Sequence, residues 1–126
     1  TRQLRTLFIR LGNLDNHNQQ FPPVTTELAK KKAELAPDNI EAWRNFSKTV
    51  FKAGALDEKT KQLIAIAVAH VTQCPYCIRS HTAQAMRKGV TKEQIMEAIW
   101  VASEMRAGAA YAHATIAMDE MEKQSK

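Results

Sequence analysis

Apolar residues recur at intervals of three and four along nearly the whole chain, the spacing that lines one face of an α-helix. Leu4, Leu7, Phe8 and Leu11, with Arg2, Arg5 and Arg10 between them, form a short basic amphipathic stretch. Such a stretch suits docking on a neighbouring subunit or a membrane surface, and equally a frayed terminal helix. Residues 12–20 are polar and rich in Asn and Gln, so they read as a linker. The expected division is residues 1–21 as amphipathic segment and linker, and 22–126 as one helical domain.

After Pro22-Pro23 a helix is expected from about Thr26 to Ala36, with Leu28 and Leu35 inward and Pro37 ending it. Asp38 with Glu41 three residues on has the form of a capping box. The helix it opens would carry Ile40, Trp43, Phe46, Val50 and Phe51 on one face, with Gly54 left-handed just past its end. Asp57 caps a further helix through Leu63, Ile64, Ala67, Val68 and Val71 to Gln73. Its run LIAIAVAHV also alternates like a strand, but about 16 residues from cap to Gln73 suit a buried helix better. Pro75 fits the first turn of the next helix, which stops at Gly89. Thr91 with Gln94 opens another, placing Ile95, Met96, Ile99, Trp100 and Ser103 inward. A last helix, Ala109 to about Lys123, begins with small residues that allow close helix packing or a subunit interface. The class is all-α, a bundle of about six helices.

Composition narrows the reading. A chain of 126 residues fits one domain, and 44% hydrophobic with 25% charged residues excludes wholesale disorder. Four glycines and four prolines are too few for the frequent turns of an all-β fold. No apolar run approaches the roughly 18 residues of a membrane span, so no membrane partner is expected. The net charge of +5 is mild, and the run Lys30 to Lys32 has no interleaved aromatic to stack on bases. No nucleic-acid partner is expected. No leader pattern opens the sequence, which makes a cytoplasmic address the expectation. No Gly-rich phosphate loop is present, so no nicotinamide or flavin cofactor is expected.

Both cysteines lie in Cys74-Pro75-Tyr76-Cys77, and His81 follows four residues later. On a helix Cys77 and His81 share a face, and Cys74 sits at the helix start. Exposed N–H groups and the positive end of the dipole favour a thiolate there. An imidazole one turn away can take a thiol proton. Two thiols and a base within eight residues suit thiol–disulfide or peroxide chemistry. His70 extends the string to H-x3-C-x2-C-x3-H, four ligand types for zinc. Tetrahedral zinc usually draws on converging elements, whereas these four run along adjacent helical segments with a break at Pro75. His70 reads instead as a buried histidine with one satisfied hydrogen bond, and no metal is expected.

The stretch Leu56 to Ile99, about a third of the chain, resembles the core of the carboxymuconolactone decarboxylase family, and its CxxCxxxH resembles the AhpD-like alkylhydroperoxidase branch. The resemblance implies a thiol-dependent peroxidase that reduces a hydroperoxide or another small oxidised substrate and is regenerated by an external dithiol reductant. It implies Cys77 as the thiolate that attacks peroxide, Cys74 as the resolving thiol and His81 as the base. It also implies a homo-oligomer, a trimer or a hexamer. The better-studied members carry a glutamate in the proton relay at the position of Gln62, and a histidine where this chain has Tyr76. A glutamine orients but does not shuttle a proton. Glu58, one turn before Gln62, and His113 are candidates to stand in. The rival readings are a lyase of the decarboxylase type with an anion pocket from Arg79, Arg87 and Arg106, and a non-catalytic CxxC redox sensor.

Overall fold

The structure is a computed structural model that describes residues 20–126; the amphipathic stretch and nearly all of the linker expected before it lie outside the described residues. Among the described residues the regular structure is helical throughout: α1 (Thr26–Leu35), α2 (Pro37–Phe51), α3 (Glu58–Thr72), α4 (Pro75–Arg87), α5 (Lys92–Ala112) and α6 (Ala114–Gln124). The chain forms two compact units, one ending at Pro37 and one running from Asp38 onward.

Helix α1 belongs to the first unit. Thr25 caps it by accepting from the Leu28 N–H, and Lys31 pairs with Glu27 across one turn. None of its residues is buried, and Leu35, expected inward with Leu28, is 87% exposed. Two leucines among three lysines form too narrow a stripe to hold a helix in a core.

In the second unit α3 is the central helix, packed against α4 and α5, while α6 packs on α5. The core is Ile66 of α3, Ala85 of α4, Val90 in the turn after α4 and Ile95 of α5, with Leu63 and Ile99 against it. Burying the Ile66 side chain alone stabilises the fold by about 2–3 kcal/mol. The Asp57 carboxylate caps α3 by accepting from the Thr60 N–H at 2.7 Å. That bond to the ionised form holds the Asp57 carboxyl below its ordinary range. Thr91 and Gln94 form the expected capping box of α5, with bonds of 3.1 and 2.9 Å.

Turn chemistry shapes the two corners. Gly89 ends α4 with φ +84°, a left-handed backbone open to glycine without penalty. The Val90 N–H then donates to the Ala85 carbonyl, which turns Val90 into the core. The corner after α3 is made by a residue the pattern did not flag: Gln73 is left-handed at φ 58°. The Cys74 N–H then donates to the Ala69 carbonyl at 3.1 Å, and α4 begins at once with Pro75 in its first turn.

Several expectations give way. Asp38 is not an N-cap, because Pro37 is already helical and Asp38 stands in the first turn. Proline is preorganised for that first position, and an acid beside it still favours the dipole. Gly54 is not left-handed; α2 ends instead against Lys61. The break before the last helix falls at His113, not Ala109, and His113 keeps a right-handed backbone, so α5 and α6 run nearly head to tail. The buried stripe of α5 is Ile95, Ile99 and Ala102, whereas Trp100 is 68% exposed and Met96 and Ser103 are also exposed. On α3 the buried face is Gln62, Ile66 and Ala69, with Ile64, Val68 and Val71 outside. On α2, Trp43, Phe46 and Val50 are exposed.

Candidate active site

The corner between α3 and α4 brings both thiols to a helix start. Cys74 is the N-cap of α4, and its Sγ accepts from the Cys77 N–H at 3.3 Å. The two sulfurs share a hydrogen bond at 2.6 Å, and both cysteines are free thiols. The shared bond from Cys77, followed by the backbone N–H, holds the Cys74 thiol below its ordinary range. Cys77 is pushed up, first by the same shared bond, then by burial and by the charge on Cys74. Of the two thiols Cys74 is therefore the more acidic, and Cys77 gives up its proton later.

His81 lies one turn after Cys77 on α4. Its Nδ1 meets Gln62 Oε1 at 2.9 Å, and Phe51, the last residue of α2, stacks on the ring with centroids 5.0 Å apart and planes 26° apart. Burial lowers the pKa of His81, so the neutral imidazole persists to lower pH than usual. Gln62 is only 2% exposed, and its Nε2 donates to Gln84 Oε1 at 3.4 Å. Gln84 Nε2 in turn donates to Ser80 Oγ at 3.0 Å. This order of donors leaves the Gln62 oxygen facing His81. An amide oxygen only accepts, so Nδ1 carries the proton and Nε2 keeps its lone pair as a base.

Beside these groups is a cavity of about 360 Å³ whose walls include Val50, Phe51, Ile64, Val68, Cys77 and His81. Ile64 and Val68, exposed by area, face this space. Lys61 is its charged wall residue, with Nζ donating to the Val50 and Lys52 carbonyls at 2.8 and 2.7 Å.

The four predicted site residues Cys74, Cys77, His81 and Gln62 thus come together. Two stand-ins do not join them. Glu58 is bridged to Lys88 at 2.7 Å on the surface, and His113 is exposed at the α5–α6 junction. His70 Nδ1 bonds the Ile66 carbonyl at 2.7 Å, the one satisfied hydrogen bond expected, though the residue is half-buried and not buried. Among the described residues no three His, Cys, Asp or Glu side chains converge to hold a metal ion. The arginines do not line the cavity: Arg79 and Arg87 are exposed, and Arg106 donates to the Val71 carbonyl. Phe51, Lys61, Gln84 and Ser80 were missed as site residues. The available signal was the pair Ser80 and Gln84, four apart and flanking His81, together with Gln62 at the head of an apolar run.

Residues 37–120 match the carboxymuconolactone decarboxylase family. A Paracoccus denitrificans protein called uncharacterized protein 4 in cox locus is 68% identical over 78 residues, which are 62% of this chain and 70% of that one. The alkyl hydroperoxide reductase AhpD of Mycobacteroides abscessus is 36% identical over 61 residues, 48% of this chain but only 34% of that longer protein. The crystal structure of a carboxymuconolactone decarboxylase family protein from Legionella pneumophila superposes with a TM-score of 0.60 at 36% identity, over 80% of this chain and 89% of its own.

Proposed function

This chain belongs to the carboxymuconolactone decarboxylase family, and from that premise we propose that it is a thiol-dependent peroxidase working through Cys74 and Cys77. The observation that carries the reading is the thiol of Cys77 and the imidazole of His81 in one cavity wall, with the Cys74 sulfur 2.6 Å from Cys77. Proteins named alkyl hydroperoxide reductase AhpD among its relatives support it.

Cys77 is the sulfur that faces the cavity, so it meets the peroxide. His81, with Nε2 unprotonated, accepts the Cys77 proton as attack begins. The sulfur–oxygen bond forms as the peroxide bond breaks, and the departing alkoxide takes that proton to leave as an alcohol. Cys77 is then a sulfenic acid. The Cys74 thiolate attacks its sulfur, the sulfur–oxygen bond breaks, and the hydroxyl leaves as water by taking a proton from solvent, the equivalent of the one Cys74 released on ionising. The resulting disulfide is returned to two thiols by an external dithiol, since this chain supplies one disulfide equivalent. Gln62 holds the His81 tautomer and moves no proton itself.

The exposed apolar side chains Trp43, Phe46, Trp100, Val101 and Met105 support assembly into a homo-oligomer. A decarboxylase-type lyase is disfavoured because, among the described residues, no arginine lines the cavity. The redox-sensor reading draws support from Gln62, which cannot relay protons for turnover.

Peroxide consumption in a dithiol-recycled assay decides among these. Cys77→Ser should abolish turnover, and Cys74→Ser and His81→Ala should each slow it by about 10²-fold or more. A wild type that forms its disulfide with peroxide yet does not turn over sinks the enzyme and leaves the sensor.

A further inference from the structure

The close helix pairings of the second unit are α3 with α4 and α5, and α5 with α6; α2 stands outside them. Besides the Phe51 ring on His81, one side chain of α3 ties the end of α2 to the site. Lys61 of α3 reaches back eleven and nine residues to the carbonyls of Val50 and Lys52, the two neighbours of Phe51. The last carbonyls of a helix lack partners within it and carry its negative end, so an ammonium is favourable there. The two bonds bracket Phe51: one holds the peptide unit between Val50 and Phe51, the other the unit that follows Lys52, so the backbone is held on both sides of Phe51. The direction of the Phe51 ring follows, and that ring lies on His81.

We infer that Lys61 is a positioning residue for His81: by holding the end of α2 it keeps the Phe51 ring stacked on the imidazole. The inference rests on the proposed role of His81 as the base. The Phe51 ring covers one face of the imidazole and Gln62 occupies Nδ1, which leaves Nε2 as the free nitrogen. Removing Lys61 frees Phe51 and wets His81.

Among the described residues, two groups that carry or can carry charge share the cavity with His81: Cys77 of α4 and Lys61 itself, while α2 contributes the uncharged Val50 and Phe51. Loss of the Lys61 charge would by itself favour protonated His81, so the test separates charge from positioning.

The His81 ring is titrated by NMR in full-length wild type, Lys61→Met, Lys61→Arg, Phe51→Leu and the Lys61→Met/Phe51→Leu double variant, without peroxide. Lys61→Met should move the His81 titration upward, Phe51→Leu should do the same, and the double variant should move no further than Phe51→Leu. Lys61→Arg, which keeps the donors, should titrate as wild type. An unmoved His81 in Lys61→Met overturns the inference. So does a Lys61→Met rise that is retained in full on the Phe51→Leu background, which would mark a charge effect. If Lys61→Met does not fold, Lys61→Gln replaces it under the same criteria. In the recycled assay Lys61→Met should lower kcat/KM about tenfold, with Lys61→Arg restoring it. A chain with no turnover at all removes the peroxidase reading and leaves the titration result standing.

Discussion

Replacing Gln62 by Glu tests the hydrogen bond on which the assignment of His81 depends. The substitution swaps an amide nitrogen for an oxygen at a position only 2% exposed, with almost no change of shape. The retained oxygen keeps His81 Nδ1 at 2.9 Å, now as a carboxylate. The new oxygen would oppose Gln84 Oε1, which at present accepts from Gln62. Gln84 relieves this by turning its amide over. Its partner Ser80 Oγ, which now accepts, can donate instead.

A hydrogen bond to a charged partner contributes about 1.5–3 kcal/mol net, against about 1 kcal/mol for a neutral one. The carboxylate therefore favours protonated His81 by roughly 1–2 kcal/mol, the lower end applying because the ring is only partly buried. At about 1.36 kcal/mol per pH unit, His81 should titrate about one unit higher than in the natural chain. The pH dependence of stability then changes. In the natural chain burial depresses the His81 pKa, so the unfolded state takes up a proton first and stability declines as pH falls below about 6.5. The raised pKa of Gln62→Glu removes that decline. Urea unfolding at pH 8 and pH 5 should show the variant gaining about 1 kcal/mol on the natural chain between the two. A difference that does not vary with pH, or that grows toward pH 8, refutes the Gln62–His81 bond and with it the tautomer.

Three further expectations bear on separate parts of the molecule. Cys77→Ala removes the larger cause of the low Cys74 pKa but leaves the backbone N–H of residue 77, so the thiolate absorbance of Cys74 should titrate higher than in wild type yet below an ordinary thiol; no movement refutes the shared sulfur bond. Ile66→Ala, at the fully buried centre of the core, should lower unfolding stability by about 2–5 kcal/mol with an unchanged denaturant slope; a loss well under 1 kcal/mol would place the core elsewhere. Trp100→Glu puts a charge on the exposed apolar face of α5 and should lower the mass found by sedimentation equilibrium, whereas an unchanged assembly mass excludes that face as a contact.

Element boundaries were legible where a side chain bonds the backbone locally. Asp57, Thr91 and Pro75 each announce a helix start, and each one holds. Gly89 announces a stop by the same kind of chemistry. Which face turns inward was much less legible. From Leu63 to Ala69 helix α3 is apolar on all sides, so periodicity cannot choose between Ile64 and Ile66, and the buried choice includes a glutamine. The reason is tertiary: Gln62 is satisfied by His81 and Gln84 from the next helix, partners 19 and 22 residues away. Spacing within α4 gave Cys74, Cys77 and His81 because that chemistry is local. Phe51 and Lys61 escaped because their roles arise only when the end of α2 meets α3 and α4. The large exposed apolar residues misled for a similar reason, since a helical stripe records burial against any surface, whether of the same chain or of another copy.

The place of Cys74 at the head of α4 has a consequence for redox poise. As N-cap, its sulfur accepts the Cys77 N–H and lies at the positive end of the helix, which favours the anion. Oxidation removes that anion, so the helix end stabilises the dithiol and not the disulfide. A pair biased in this way forms a disulfide that is comparatively strongly oxidising, as a general matter of leaving-group and thiolate stability. The spent form of the protein is accordingly the one a dithiol reduces readily, and equilibration against a glutathione buffer reads that bias as a potential. The same backbone N–H that starts a helix thus sets the direction in which electrons flow through it.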